Sequence, residues 1–283
     1  MHDTEPPERR PTDPTQALRL TVGCHFDVEA VLPTAAVMQV ATYPQPGVQV
    51  ESETWDTGAD HHGYIDGYGN RCERMTIPAG PSRLSYSATV LITHPEDVLE
   101  PDVRETPVDE LPDDVLVYTM PSRFCLPDEL GHEAWQRFGH LEPGWGRVQA
   151  IADMVHDHLE FDHFSSNPWT TSKDVFVAQQ GVCRDYAHLA ITFCRALNIP
   201  ARYVFGYIPA IGPGAIHEEM DFAAWFEVWM DGRWHTFDAR NNTPRTGRVV
   251  VGRGRDAVDV ALITSYGPLT FRHLTVIAEE PAA

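Results

Sequence analysis

The sequence predicts an α+β chain, with an antiparallel, sandwich-like β domain first and a helix-then-sheet domain after it. Three observations predict this. Between Leu18 and Thr93, short runs alternate apolar and polar residues and are separated by Gly or Pro clusters, the pattern of an antiparallel sandwich. From Trp145 the apolar spacing becomes helical. Beyond Ile199 alternating runs return, and two of them are joined by Asp231-Gly232, a two-residue hairpin turn.

At 283 residues, with 42% hydrophobic and 10% aromatic side chains, the chain is long enough for one or two buried cores. It carries 41 acidic and 21 basic residues, a net charge of −20. That balance argues against gripping nucleic-acid phosphates, which takes clustered Lys and Arg, and against a polybasic membrane surface. No stretch approaches the roughly 18 apolar residues of a membrane span. The first 16 residues are polar and lack a signal peptide's apolar segment, so the expected location is cytoplasmic. Five cysteines, with no CxxC pair, predict neither a disulfide framework nor a structural zinc site.

Taken in order, residues 1–16 read as a flexible tail and 17–94 as the N-terminal β domain. Its strand runs are LRLTVGCHFDVEA, AAVMQVATY, VQVESETW, NRCERMTI and LSYSATVLIT. His61-His62 reads as a loop pair. Residues 95–115 are an acidic, Pro-rich linker or surface crossover, with nine acids and four prolines between Pro95 and Asp114. Residues 116–283 form the second domain. Trp145 to about His158 has helical spacing, a Ser/Asn/Pro/Thr loop follows, and a short segment covers Asp174 to Gly181. A long helix is predicted from about Cys183 to Leu197, then strands ARYVFGYIPA, FAAWFEVWM and RWHTFDAR.

The chemistry concentrates around Cys183. It opens the long helix, where free N–H groups and the dipole favour a thiolate, with Arg184 beside it in sequence. Cys194 shares that helix face but lies roughly 16 Å away among apolar neighbours, so it reads as core. A nucleophilic cysteine wants a base and an orienting acid. With Asp231-Gly232 as the turn, Met230 pairs with Arg233, Trp225 with Asp238 and Ala223 with Arg240, which places position 223 diagonal to Asp238 on one sheet face. A His at 223 would complete a Cys-His-Asp triad. The sequence has Ala223.

The motifs PSRFCLPDELG, GVCRDYAHLAITFCRALNIPARYVFGYIP and MDFAAWFEVWMDGRWHTFDARNNTPRTG make the run from Met120 to about Gly267 resemble the transglutaminase-like family of bacterial cysteine enzymes, a branch of the papain-like superfamily with an N-terminal β domain. The resemblance implies Cys183 as nucleophile and Asp238 as the acid that orients the base. It also implies thiol acyl transfer on a protein or peptide amide, with water or an amine as acceptor and no metal or organic cofactor. The family reads Asp-Phe-His-Ala-Trp where this chain reads Asp221-Phe222-Ala223-Ala224-Trp225. A second oxyanion donor would come from Gln179, Gln180 or Trp169, and Trp225 and Trp169 would line the cleft.

Three accounts of Ala223 remain open: an engineered His-to-Ala change, a natural pseudoenzyme that binds a peptide or acylated partner, or an enzyme with a relocated base. For the last, His217 lies in the loop before position 223. His235 falls on the opposite strand face, and His188 points about 140° round the helix from Cys183. The run HDHLEFDH (156–163) offers three His and two Asp. Its i,i+2 imidazoles diverge on a helix, so it reads as a solvated helix end rather than a metal site. An adhesin built on the β domain is disfavoured by the missing secretion signal.

Overall fold

The computed structural model describes residues 17–212, 215 and 220–281. The predicted tail and His217 lie outside the described residues. The N-terminal strands are β1 (Leu18–Ala30), β2 (Thr34–Met38), β3 (Val48–Asp56), β4 (His61–Ile65), β5 (Arg71–Ile77) and β6 (Gly80–Ile92). The alternation in β1 does what it predicts: Leu20, Val22, Cys24, Phe26, Val28 and Ala30 are all buried, one face of a pleated strand. β1 pairs antiparallel with β6 along its whole length, from Leu18↔Ile92 to Ala30↔Gly80.

The second half contains α1 (Pro127–Phe138), α2 (Trp145–His158), β7 (Glu160–Phe161), α3 (Ser172–Ala178), β8 (Gln180–Gly181) and α4 (Cys183–Ala196). Then come β9 (Ala201–Tyr207), β10 (Ala223–Met230), β11 (Arg233–Phe237), β12 (Val249–Gly254), β13 (Ile263–Ser265) and β14 (Leu269–Glu279). One antiparallel sheet has the order β11-β10-β9-β12. The β10–β11 turn is the one the dipeptide predicts, with Asp231 at φ 47° and Gly232 at φ 77°. α4 is the central helix, and every residue from Asp185 to Arg195 is buried. It admits Arg195 only because that guanidinium donates to the carbonyls of Met120, Ala201 and Arg255 and to Ser122 Oγ.

The two N-terminal sheets have the orders β14-β1-β6-β3 and β13-β2-β5-β4. The last two strands, grouped by sequence with the second domain of residues 116–283, therefore return to the β domain. β14 pairs with β1 from Thr21↔Glu279 to Ala30↔Leu269, and β13 with β2. His61-His62 opens β4 rather than forming a loop. All five β4 residues are exposed, so no buried face marks this edge strand in the sequence.

The acidic stretch is a crossover tied down by its charges. Asp97 accepts from Arg248, Glu100 pairs with Arg233 and His235, and Glu105 pairs with the buried Arg147. Among the described residues no helix is long and apolar enough to cross a membrane.

Candidate active site

Cys183 is placed by the β8–α4 junction. Gly181 leaves room for a cap: a Cβ there would lie 2.9 Å from Asp185 Cβ. The Asp185 carboxylate folds back to accept from Val182 N at 2.9 Å, satisfying one of the free N–H groups at the helix start. Cys183 is half-buried and its thiol donates to Phe222 O at 3.8 Å. Burial pushes the thiol up to about 11, more than the opposing charge of Arg240 lowers it. Burial thus opposes the thiolate that a helix N-terminus favours. Arg184 turns away, donating to Ser166 Oγ and Asn167 O.

The β10–β11 ladder runs from Phe226↔Phe237 to Met230↔Arg233. Beyond Phe237 the pairing stops: residues 239–241 form a turn, with Asn242 N donating to Asp238 O at 2.8 Å, so the predicted pairs Trp225–Asp238 and Ala223–Arg240 do not form. Asp238 is buried and fully engaged. Its Oδ1 accepts from the backbone N–H groups of Arg240 and Asn241, and its Oδ2 accepts from Asn241 Nδ2 at 2.7 Å and Arg248 Nη2 at 2.9 Å. Burial alone would raise this carboxyl, but Arg248 and the Asn241 donors hold it below the usual carboxylate range. Arg248 in turn donates to both oxygens of Asp97.

Cys183 and Ala223 open onto one cleft of about 240 Å³, together with Phe161, His163, Asp221 and Arg240. Asn241 and Arg245 extend the same wall. Asp238 does not line this cleft; it is joined to it through Asn241, whose Nδ2 donates to Asp238 Oδ2. Trp225 is 1% exposed and sits beneath the Arg248 guanidinium, 4.9 Å from its ring centre. Gln179, Gln180 and Trp169 are exposed and do not line the cleft.

The remaining predicted candidates have other partners. His188 is buried, accepts from Ala257 N and stacks on Phe124. His235 is held by Met230 O and Glu100. Cys194 is fully buried. In the 156–163 run, His156 meets the carbonyls of Ala239 and Arg240, while His158 meets Phe176 O. Among the described residues no group of three or more His, Cys, Asp and Glu could hold a metal ion.

From sequence, His163 is set aside within a solvated helix end, and Arg240, Asn241 and Arg245 have no place in the cleft that they line. Their signal is tertiary. β7 and β8 pair parallel, with Phe161 opposite Gly181, and Asp162 N donates to Gly181 O at 3.2 Å. This brings residue 163 to the cleft that Cys183 also lines, while Arg240 packs over Phe161 at 3.8 Å.

Residues 136–239 match the model of the transglutaminase-like superfamily. A solved structure of a candidate cysteine protease from Cytophaga hutchinsonii is 28% identical, with a TM-score of 0.85 over 95% of this chain and 92% of that one. An uncharacterized protein of Mycobacterium leprae is 31% identical over 117 residues, and one of Mycobacterium tuberculosis is 34% identical over 128 residues. These matches take in 40% of this chain and 42% and 39% of the two mycobacterial proteins. The chain thus spans about two fifths of the length of these relatives. It carries a transglutaminase-like domain, and its mixed α+β fold is that of the Cytophaga hutchinsonii protein.

Proposed function

We propose that this is a thiol acyl-transfer enzyme of the transglutaminase-like type, acting on peptide or glutamine-type amides through a Cys183 thioester and impaired by alanine at position 223. The observation that carries the reading is Cys183 at the N-terminus of a buried helix, opening onto a cleft that position 223 also lines. The backbone N–H at the start of α4 suits the oxyanion that forms as sulfur attacks. An imidazole at 223, steadied by Asp238, would take the thiol proton and return it to the leaving amine. Water as acceptor gives hydrolysis and a primary amine gives transamidation.

Ala223 itself favours a second reading, in which the cleft holds a peptide or acylated partner without processing it. One experiment separates the two. The chain as it stands, Ala223→His and Cys183→Ala are incubated with a mixed peptide pool, with and without a labelled primary amine. Mass spectrometry scores cleavage, deamidation and amine incorporation. The expected result is turnover by Ala223→His at least about 100-fold above the parent, the scale of general acid–base catalysis, and none by Cys183→Ala. Peptide binding with no turnover by any variant would favour the binding protein.

A further inference from the structure

We propose that His163 serves as the base for Cys183 in this chain, reaching the thiol from the β7 side of the cleft while position 223, on β10, contributes no ionisable group. This rests on the thiol-enzyme reading above. Among the described residues, the titratable and charged side chains lining the cleft are Cys183, His163, Asp221, Arg240 and Arg245. The two guanidinium groups stay protonated and cannot accept a proton. The Asp221 carboxylate is already engaged, its Oδ1 accepting from Phe222 N at 2.7 Å. Among the described lining residues His163 then supplies the imidazole, the side chain used most often as a general base.

Its position is built. The β7–β8 pairing fixes the backbone of residues 160–162 against 180–181, and 181 is two residues from the nucleophile. The imidazole stands edge-on to Phe161, ring centres 4.8 Å apart at 84°. On that aromatic platform Arg240 packs as well, so platform, cation and imidazole line the cleft onto which Cys183 opens. The ring is exposed and forms no hydrogen bond to a described residue. His156 and His158, its neighbours in sequence, are both committed to backbone carbonyls.

The need is quantitative. With the thiol at about 11, about one molecule in 10⁴ is thiolate at pH 7, so attack requires proton removal in the same step. The thiol proton passes to the free imidazole nitrogen as the S–C bond forms. The C–N bond of the amide then breaks and the imidazolium returns the proton to the leaving amine. Water, deprotonated by the same imidazole, hydrolyses the thioester to a carboxylic acid and the free thiol. No electron changes hands.

The test is the pH dependence of Cys183 alkylation by iodoacetamide, located by mass spectrometry, together with acylation by an activated p-nitrophenyl ester. The parent is compared with His163→Ala, His163→Gln, Asp221→Asn and Ala223→His/His163→Ala, each checked for an unchanged thermal transition. The expected result is an ionisation in the imidazole range in the parent. His163→Ala and His163→Gln lose it and react at least about tenfold more slowly at pH 7.5, and Ala223→His restores the rate to His163→Ala. His163 variants within twofold of the parent at every pH would overturn the proposal, as would transfer of the whole loss to Asp221→Asn. Failure of the broader reading is a distinct result: alkylation would depend on His163 while neither the ester nor any peptide acylates Cys183 in any variant. If Ala223→His turns over but the His163 variants match the parent, the enzyme reading stands and this assignment falls.

Discussion

Asp238 shows how one carboxylate can serve two ends. It accepts four hydrogen bonds, among them one from the half-buried Arg248, and Arg248 with the Asn241 donors accounts for its depressed pKa despite burial. A group depressed on folding adds stability above its unfolded pKa of about 3.9, and that stability is lost as pH falls through the folded value. Asp238→Asn keeps the shape but turns one acceptor oxygen into a donor amide. Arg248 then keeps only Asp97 as a carboxylate partner. The expected cost is about 1–3 kcal/mol, read as a lower urea midpoint at pH 7 and a smaller difference from the parent at pH 3. In the parent background its effect on Cys183 reactivity should be small. Combined with Ala223→His, it should also cut turnover by about 10²-fold or more, because the imidazole loses the group that orients it. Equal effects in both backgrounds would make Asp238 purely structural.

At the scale of elements, the parts legible in sequence are those with a regular apolar pattern between clear stops, whether one face is buried, as in β1, or nearly every residue, as in α4. β1, α2 and α4 fall within a residue of where alternation and helical spacing place them, and Asp231-Gly232 sets the β10–β11 register. β4 is exposed throughout, so nothing in His61–Ile65 alternates. β12 reads VVVGRG and is buried but for Arg253, a run without periodicity. Arg253 shows what such a strand contributes. Together with Arg202 of β9 it grips the buried Glu227 of β10, donating from Nε at 3.0 Å while Arg202 Nε donates at 2.7 Å. Burial opposes the charge on Glu227, but the two guanidinium groups win and set its carboxyl to about 2. The group thus stabilises the fold above its unfolded pKa of about 4.3, and the contribution drains away between there and about 2, worth about 3 kcal/mol in all. Glu227→Gln leaves two half-buried cations short of a counter-charge. The expected loss is about 3–5 kcal/mol at pH 7, with a flatter stability profile between pH 4.5 and 2 than the parent shows. A parallel profile in the variant would mean that another carboxylate governs acid unfolding.

The whole molecule is closed by its own far end, which local sequence patterns do not show because the pairing joins residues some 250 positions apart. β14 covers the outer edge of β1 through ten register pairs, with one irregularity at Asp27/Val28. It adds buried Val276 and Ala278 to the core. Ending the chain at Gly267 would strip that cover and leave β1, thirteen residues long and buried on alternate positions, as a bare sheet edge. Unpaired N–H and C=O groups along so long an apolar strand are a template for pairing with another chain. Such a truncation should therefore act far from its own residues. The sandwich should lose cooperativity, the protein should elute in size-exclusion chromatography as a dimer or larger species, and Cys183 should become more accessible to alkylating reagents as the shared core loosens. The core supports this last step: buried residues of β1 and of α4 belong to one continuous cluster. A truncated chain that stays monomeric with an unchanged thermal transition would mean that β14 only decorates the sandwich. The active-site half would then stand on α4 and its own sheet alone.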